Sequence, residues 1–218
     1  MKKMIHTKNK TGIIVMLNLA GMLLLGGCTV LQPAKSTSMS TYALEAQFDN
    51  AGISAGDQTL LVTTPGARPG FDSRHMVYTK KPHELEFFTQ NQWVESPAHM
   101  LAPLLVQVLE SSGKYRAVVT TRSAASADLR LDTEIIRLQH EFITRPSQVH
   151  LTVRAQLIDM QGKRVLATQE FDVTEAATSD DPYGGVIATN RAVKTMLIKI
   201  AEFCALESKA GKTRKVQE

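Results

Sequence analysis

Cysteine is scarce in this chain of 218 residues, which contains Cys28 and Cys204 and no other cysteine. Small secreted domains that depend on disulfides carry several cysteine pairs, so this chain does not belong to that class. Cys204 falls on the apolar side of a predicted C-terminal helix, where a thiol packs as a small hydrophobic group. A catalytic thiol needs a positioned base, and the sequence indicates none, so we interpret Cys204 as a core residue.

The sequence also lacks the common motifs of enzymes and metal sites. Asp72, Ser73 and His75 supply the residue types of a hydrolase triad, but neighbouring strand residues point to opposite faces and triad members must converge. A G-x-S-x-G elbow and an H-E-x-x-H motif are both missing. Gly184 and Gly185 lie outside any phosphate-loop pattern, so we interpret them as close-packing or weak-helix positions. The histidines after residue 28 are dispersed: His75, His83, His99, His140 and His150. We predict a protein that is not an enzyme and that has no metal or other cofactor.

Acidic residues are absent from the first 27 positions, which contain four lysines and an apolar run over residues 12–25. The run ends in Leu-Gly-Gly-Cys28 and is shorter than the ~20 residues that a membrane span needs. A basic segment, an apolar run and small residues before a cysteine are typical of a lipoprotein signal peptide. We predict that residues 1–27 are removed and that Cys28 is acylated, with palmitate among its chains. A plain signal peptide or a short anchor helix is the alternative.

Cleavage changes the charge of the chain. Four of the 25 basic residues lie before Cys28, so 21 basic residues remain against 21 acidic ones. A nucleic-acid-binding protein would keep a basic patch after cleavage, so we expect no nucleic acid partner. Residues 28–41 are polar and small, which predicts a flexible tether. Residues 208–218 are rich in lysine and arginine and are predicted to form a solvated basic tail.

Two helices are predicted from their apolar stripes and their boundary residues. The first has Ser96 as N-cap, Pro97 in its first turn and Gly113 at its end. Pro103 falls inside it and predicts either a kink or an irregular first turn, while Trp93 should be at least partly buried beside it. The second begins after a Ser-Asp-Asp-Pro segment that ends at Pro182. The stripes that face the core are Met100, Leu101, Leu104, Leu105, Val108 and Leu109, and Val186, Val193, Met196, Leu197, Ile200, Phe203 and Cys204.

Several segments have the pattern of strands. Residues 42–46, 59–64, 75–79, 84–89 and 117–120 are short, whereas residues 129–135, 149–157 and 165–173 alternate between apolar and polar side chains. The alternation of apolar and polar side chains changes phase at Ile135 and Ile136, which predicts a β-bulge. One-sided alternation is typical of antiparallel strands with one wet face. We therefore predict an α+β fold over residues 42–207, with a mainly antiparallel sheet covered on one face by two amphipathic helices in a two-layer sandwich.

A longer pattern lies in residues 74–120. Its parts are Val-Tyr, Pro-His-Glu-Leu-Glu-Phe-Phe, Gln-Trp-Val-Glu-Ser-Pro-Ala-His-Met-Leu and Leu-Glu-Ser-Ser-Gly-Lys-Tyr-Arg-Ala-Val. In this order the segments resemble the ABC-type transport auxiliary lipoprotein family, whose members include PqiC-like proteins. The resemblance implies a Gram-negative lipoprotein on the periplasmic face of the outer membrane. It implies partnership with a periplasmic MCE-domain protein and its ABC permease and ATPase, in the transport of lipids such as phospholipids.

The resemblance also implies a surface that binds the MCE protein. We expect contact residues in exposed loops and along the exposed edge of the sheet, with Arg68 and Phe71 as the loop candidates, although Phe71 could instead cap the core. Thr29 follows the cysteine in place of the aspartate that retains lipoproteins in the inner membrane, which favours the outer membrane. A ring-shaped partner would favour a homo-oligomer of several symmetric copies. The alternative function is a structural envelope lipoprotein that assists assembly of another outer-membrane machine.

Overall fold

The structure, a computed structural model, describes residues 38–49 and 56–217. The predicted signal peptide and the lipidation site at Cys28 lie outside these residues. In chain order the elements are β1 (Ser40–Tyr42), β2 (Thr59–Val62), β3 (Gly66–Ala67), β4 (His75–Thr79), β5 (Glu86–Trp93), α1 (Pro97–Ser111), β6 (Ala117–Thr120), β7 (Leu129–Glu141), β8 (Gln148–Asp159), β9 (Arg164–Ala176) and α2 (Pro182–Gln217).

Strand β7 organises the sheet. One of its edges pairs along its whole length with β8, which pairs in turn with β9, and both ladders are antiparallel. Its other edge is shared by three short strands that run parallel to it: β2 at the start, β3 in the middle and β4 at the end, where Tyr78 pairs with His140. β6 extends the sheet beyond β2, and β5 and β1 extend it beyond β4. The sheet is mostly antiparallel by paired residues, as predicted.

The two predicted apolar stripes form the core with one face of the sheet. α2 lies along β8 and β9, and α1 packs against α2, β2 and β6. Leu105 and Ile200 are completely buried, and Trp93 is 4% exposed beside them in the same core cluster. The register of β7 against β8 shifts between Ile135 and Arg137, which confirms the predicted bulge. The α+β architecture that the sequence predicts is confirmed.

Both helices begin where proline and short polar residues allow a start. Pro97 opens α1 behind Ser96, although the Ser96 side chain makes no capping bond. Gly113 has φ +61° just past the end of α1, where glycine adopts this conformation without strain. Pro103 lies inside an uninterrupted helix on its exposed side. Water can therefore reach the carbonyl that loses its hydrogen bond to the proline nitrogen.

The close packing expected at Gly184 and Gly185 is confirmed at the start of α2. Asp181 caps this helix, because its Oδ1 accepts a hydrogen bond from the Gly184 amide at 2.8 Å. A Cβ atom on Gly184 would come within 2.5 Å of the Ser179 Oγ and 2.7 Å of its backbone nitrogen. A Cβ atom on Gly185 would come within 2.9 Å of the His140 ring. Any larger residue at these positions would push the helix away from the loop and the sheet.

α2 continues through the predicted basic tail as far as Gln217. Ser208 is buried, Gly211 packs against Leu166, and Lys212 forms an ion pair with Asp57. Small residues let the last turns of the helix lie close to β9, so these turns belong to the folded domain. The charge pattern of the sequence did not reveal the contact between the end of α2 and β9.

The first strand is also earlier and shorter than predicted. It begins at Ser40, inside the predicted tether, and ends at Tyr42, whereas the sequence favoured residues 42–46. After Tyr42 the backbone bonds to a helix: the Glu45 amide donates to Asn190 Oδ1 at 2.9 Å, and Asn190 donates to the Ala43 carbonyl at 3.4 Å. The Asn190 side chain of α2 therefore bonds to the backbone groups that would otherwise pair with a neighbouring strand.

Candidate docking surface

The predicted contact loop lies on the edge of β7. β3 pairs with β7, and the Arg68 amide donates to the Ile135 carbonyl at 2.9 Å. The chain then turns, with the Phe71 amide donating to the Arg68 carbonyl at 3.0 Å. Arg68 is exposed, whereas Phe71 is half-buried and packs against the core. Of the two candidates, Arg68 is available to a partner and Phe71 mainly supports the loop.

Next to this loop, β5 exposes two large apolar side chains. Leu85, just before the strand, is 45% exposed, and Phe87 is 44% exposed. Leu85 touches the loop, since a Cβ atom on Gly70 would lie 3.6 Å from its Cδ1. The Phe87 ring lies 5.3 Å from the His75 ring, centroid to centroid. We call Arg68, His75, Leu85 and Phe87 the outer apolar patch.

The outer apolar patch lies on the face of the sheet opposite the helices. Phe88, the next residue after Phe87, stacks at 4.4 Å on Tyr78 and approaches His140, which is buried against α2. Adjacent strand residues point to opposite faces, so Phe87 faces away from the core. Sequence reasoning predicted this strand but missed its surface. The available signal was the run Leu-Glu-Phe-Phe, which places apolar residues on both faces of one strand.

The charges of the turn between β4 and β5 are paired. Lys80 lies 3.5 Å from Glu86, and Lys81 lies 3.9 Å from Glu84. The Tyr78 hydroxyl donates to Glu86 at 2.6 Å, and this hydrogen bond holds the pKa of Glu86 below its ordinary value. Exposed pairs of this kind contribute little to stability. Arg68, in contrast, brings an exposed positive charge to the patch itself.

A local turn contains the three residues Asp72, Ser73 and His75, which lie close together in sequence. The Ser73 hydroxyl lies 3.1 Å from His75 Nδ1 and accepts a hydrogen bond from the His75 amide at 3.3 Å. A serine side chain that bonds the backbone two residues later is a common way to start a strand. The pair is exposed on the surface, and its geometry fits the turn that the sequence predicted.

A second serine–histidine contact is deeply buried. His140 Nε2 lies 2.8 Å from the Ser147 hydroxyl, and Ser147 is completely inaccessible to solvent. Burial lowers the pKa of His140 to about 4, although the nearby carboxylates of Asp180 and Asp181 act in the opposite direction. Asp180 accepts a hydrogen bond from the Ser147 backbone amide at 2.8 Å rather than bonding to the histidine. This cluster ties the β7–β8 loop to the start of α2.

The described residues also include a second candidate for chemistry, the thiol of Cys204. Cys204 is fully buried, and burial raises the pKa of its thiol to about 12. Within residues 38–49 and 56–217, histidine, cysteine and carboxylate side chains nowhere gather in a group of three that could hold a metal ion. Among the described residues, no helix is both long enough and apolar enough to cross a bilayer.

A family model described as the ABC-type transport auxiliary lipoprotein component matches residues 42–201. The chain belongs to this family. Membership agrees with the resemblance carried by residues 74–120 and makes the protein an auxiliary lipoprotein of ABC-type transport. It also agrees with a lipid-anchored protein of the cell envelope.

Solved structures share the fold of the auxiliary lipoprotein. A protein from Xanthomonas campestris superposes with a TM-score of 0.72 at 21% identity, over 80% of this chain and 99% of its own. A second, uncharacterized protein superposes with a TM-score of 0.60 at 15% identity, over 76% of this chain and 97% of its own. At these identities the likeness establishes the fold alone. A search of curated proteins found no match.

Proposed function

We propose that this auxiliary lipoprotein is anchored in the outer membrane through Cys28 and acts in an MCE/ABC-type lipid transport system. Its role is to bind the periplasmic MCE-domain protein rather than to carry out chemistry. The substrate class that fits such a system is phospholipid or a related lipid. Family membership supports a transport role, and the outer apolar patch supports a role in binding a protein.

The observation that carries the proposal is the outer apolar patch. Single exposed apolar residues are ordinary on a protein surface, but a cluster of them marks an interaction site. Phe87 offers an exposed aromatic side chain, and Arg68, in the loop that Leu85 approaches, offers an exposed planar cation. Aromatic residues and arginine are the types enriched at protein interfaces and their hot spots. The patch therefore has the composition of a docking site.

The anchor keeps this patch near the membrane that the transport system must reach. A triacylated cysteine supplies more than one acyl chain, which stable anchoring requires. Ser40 begins the sheet only 12 residues after Cys28, so an extended connection reaches about 40 Å. The domain can therefore meet the outer-membrane end of a periplasmic partner while its lipid stays in the bilayer.

Photocrosslinking in cells tests the proposal. A photoreactive residue placed at Arg68 or at Phe87 should capture the MCE-domain protein, whereas the same residue at Val165 should not. Val165 is a matched control, because it is 51% exposed but lies on β9 at the opposite edge of the sheet. Capture of a different envelope protein at Arg68 and Phe87, without the MCE protein, would favour the assembly role instead.

A further inference from the structure

β9 is the last strand on its side of the sheet. It pairs with β8 along one edge, and within residues 38–49 and 56–217 no strand pairs with its other edge. Natural proteins protect such edges with short strands, proline or lysine. β9 is 13 residues long and contains neither proline nor lysine. Its free edge is therefore open to another strand.

Hydrogen bonds at the end of β9 show which backbone groups lie on this free edge. The Ala177 amide donates to the Ser147 carbonyl at 2.7 Å, on the side of β8. The Ala176 carbonyl instead accepts a hydrogen bond from the Arg191 side chain. The amide and carbonyl of one strand residue point to the same side, and the side alternates from residue to residue. Alternate residues therefore direct both backbone groups away from β8, and we call four of them the β9 edge: Thr168, Glu170, Asp172 and Thr174.

The side chains of the β9 edge agree with this assignment. In an antiparallel ladder, the pairs that do not exchange backbone hydrogen bonds bring their side chains closer together. Thr168 accepts a hydrogen bond from Gln156 of β8 at 3.0 Å, and Asp172 accepts one from Thr152 at 2.8 Å. The four edge side chains are exposed, whereas Phe171 between them is buried. The edge residues therefore lie on the wet face of the sheet, opposite the helices.

Charges alternate in sign across the wet face as far as β9. Glu134 on β7, Arg154 on β8 and Glu170 on β9 lie side by side in register. Opposite charges on neighbouring strands stabilise a sheet, whereas like charges directly opposite one another destabilise it. The next strand in this row is therefore favoured to carry a cation beside Glu170. A second copy of β9 is disfavoured, because antiparallel pairing centred on residues 170–172 would bring acidic side chains against one another.

Helix α2 offers an apolar contact on the other face of an added strand. The Phe203 ring of α2 meets the Phe171 ring of β9 edge-on, with centroids 5.7 Å apart. Further along the helix, Gly211 packs on Leu166. Leu206 lies between these two contacts, one turn after Phe203, and is 67% exposed. It is therefore level with the first half of the β9 edge, where an apolar side chain of an added strand would cover it.

We infer that the β9 edge binds an extended segment of a partner protein, which joins the sheet as one more strand. The backbone of the segment bonds to the free groups of the edge, as peptides do at other exposed sheet edges. Its side chains alternate: apolar ones face α2 and cover Leu206, and cationic ones lie on the wet face beside Glu170. This surface does not depend on the proposed anchor or on the MCE partner. Val165 precedes the register shift of β9 and lies outside the edge.

Binding of a designed peptide to the acylated full-length protein tests the inference. The probe is a fluorescent peptide of about eight residues, within the usual length of a strand, that alternates lysine with valine. One control peptide has glutamate in place of lysine. The other has every backbone amide N-methylated, so that it cannot donate hydrogen bonds to the edge. Fluorescence anisotropy in a non-ionic detergent measures the affinity of each peptide.

Two variants change the edge in different ways. Glu170→Pro closes it, and its ladder with β8 is retained because proline is tolerated in an edge strand where the lost amide faces away from the neighbour. Glu170→Lys keeps the backbone and reverses the charge, so it tests the inference even if the proline variant is unstable. Glu110→Lys is the matched control, since Glu110 is an exposed acid on α1. Circular dichroism checks the fold of all three variants.

The inference predicts that the lysine peptide binds equally to the wild type and Glu110→Lys, about tenfold more weakly to Glu170→Pro, and more weakly to Glu170→Lys. Both control peptides should bind the wild type more weakly than the probe does. Equal affinity for the wild type and both Glu170 variants, or for the lysine and glutamate peptides, would overturn the inference. A wild-type dimer that Glu170→Pro dissociates would also overturn it, because a second copy would then occupy the edge. Phe87→Ser should keep full peptide binding, which separates this test from that of the proposed function.

Discussion

Lowering the pH should destabilise the domain through His140. The ring is 5% exposed and lies 4.1 Å from the Phe142 ring, centroid to centroid. Burial lowers the pKa of His140 from 6.5 to about 4 in the folded protein. The unfolded chain therefore takes up a proton before the folded chain does. Stability is complete above pH ~6.5 and falls as the pH decreases from there towards 4.

The size of the effect follows from the two pKa values. A pKa difference of about 2.5 corresponds to about 3 kcal/mol once the pH is below 4. At pH 5 the loss is about 2 kcal/mol, because only part of the titration is complete. Carboxyl groups that hydrogen bonds stabilise in the folded state lose this stabilisation at lower pH, as the pH falls from their ordinary pKa of 3.8 or 4.5 towards the lowered pKa of the folded state. These groups are Asp57, Glu86, Glu95, Asp180 and Asp181.

Urea unfolding of the purified mature chain at pH 7.5 and pH 5.0 measures this difference. The wild-type free energy of unfolding should fall by about 2 kcal/mol between the two pH values. His140→Gln should be less stable at both pH values and should lose most of that pH dependence. His99→Gln, at an exposed position, should keep it. Equal wild-type stability at both pH values, or an unchanged slope in His140→Gln, would refute the assignment to His140.

Three further predictions concern the core, the helix start and the anchor. Gly184→Ala should lower the free energy of unfolding by about 1–3 kcal/mol, because the new Cβ meets backbone atoms that cannot move aside. Gly66→Ala is the control: its Cβ would have its nearest neighbour at 3.9 Å, so the free energy of unfolding should change by no more than about 0.5 kcal/mol. Urea unfolding of the two variants measures both values. Leu105→Asp and Ile200→Asp should each prevent stable folding, because both side chains are fully buried, and thermal stability close to wild type would contradict this. Cys28→Ser should leave a soluble or uncleaved chain on membrane fractionation; recovery of the wild-type protein wholly in the inner membrane would contradict the outer-membrane proposal.

Much of the fold could be predicted from local pattern. The stripes that contain Leu105 and Ile200 repeat at helical spacing, and both residues are completely buried. Pro97 and Pro182 stand at the first positions of the helices, where a missing amide costs nothing. The bulge after Ile135 was visible as a change of phase in the alternation. These features depend on neighbours in sequence, so a single sequence is enough to reveal them.

Features that depend on distant neighbours were missed. The parallel ladders on the second edge of β7 join segments far apart in the chain, and strand patterns do not specify a partner. The last turns of α2 looked like a solvated tail because Gly211 is not apolar, yet its small size permits contact with Leu166. The outer apolar patch was missed for a similar reason. Only the folded sheet brings Leu85 beside the loop that contains Arg68 and turns Phe87 away from the core.

The most direct test of the proposed role is affinity purification of the full-length acylated protein from membranes, with mass spectrometry of the proteins that come with it. The account predicts an MCE-domain protein together with its permease, and a loss of both in a Phe87→Ser variant. Val165→Ser, at an exposed position on β9, should retain both partners. Purification of the wild-type protein with another outer-membrane assembly, and without any MCE-domain protein, would contradict the account.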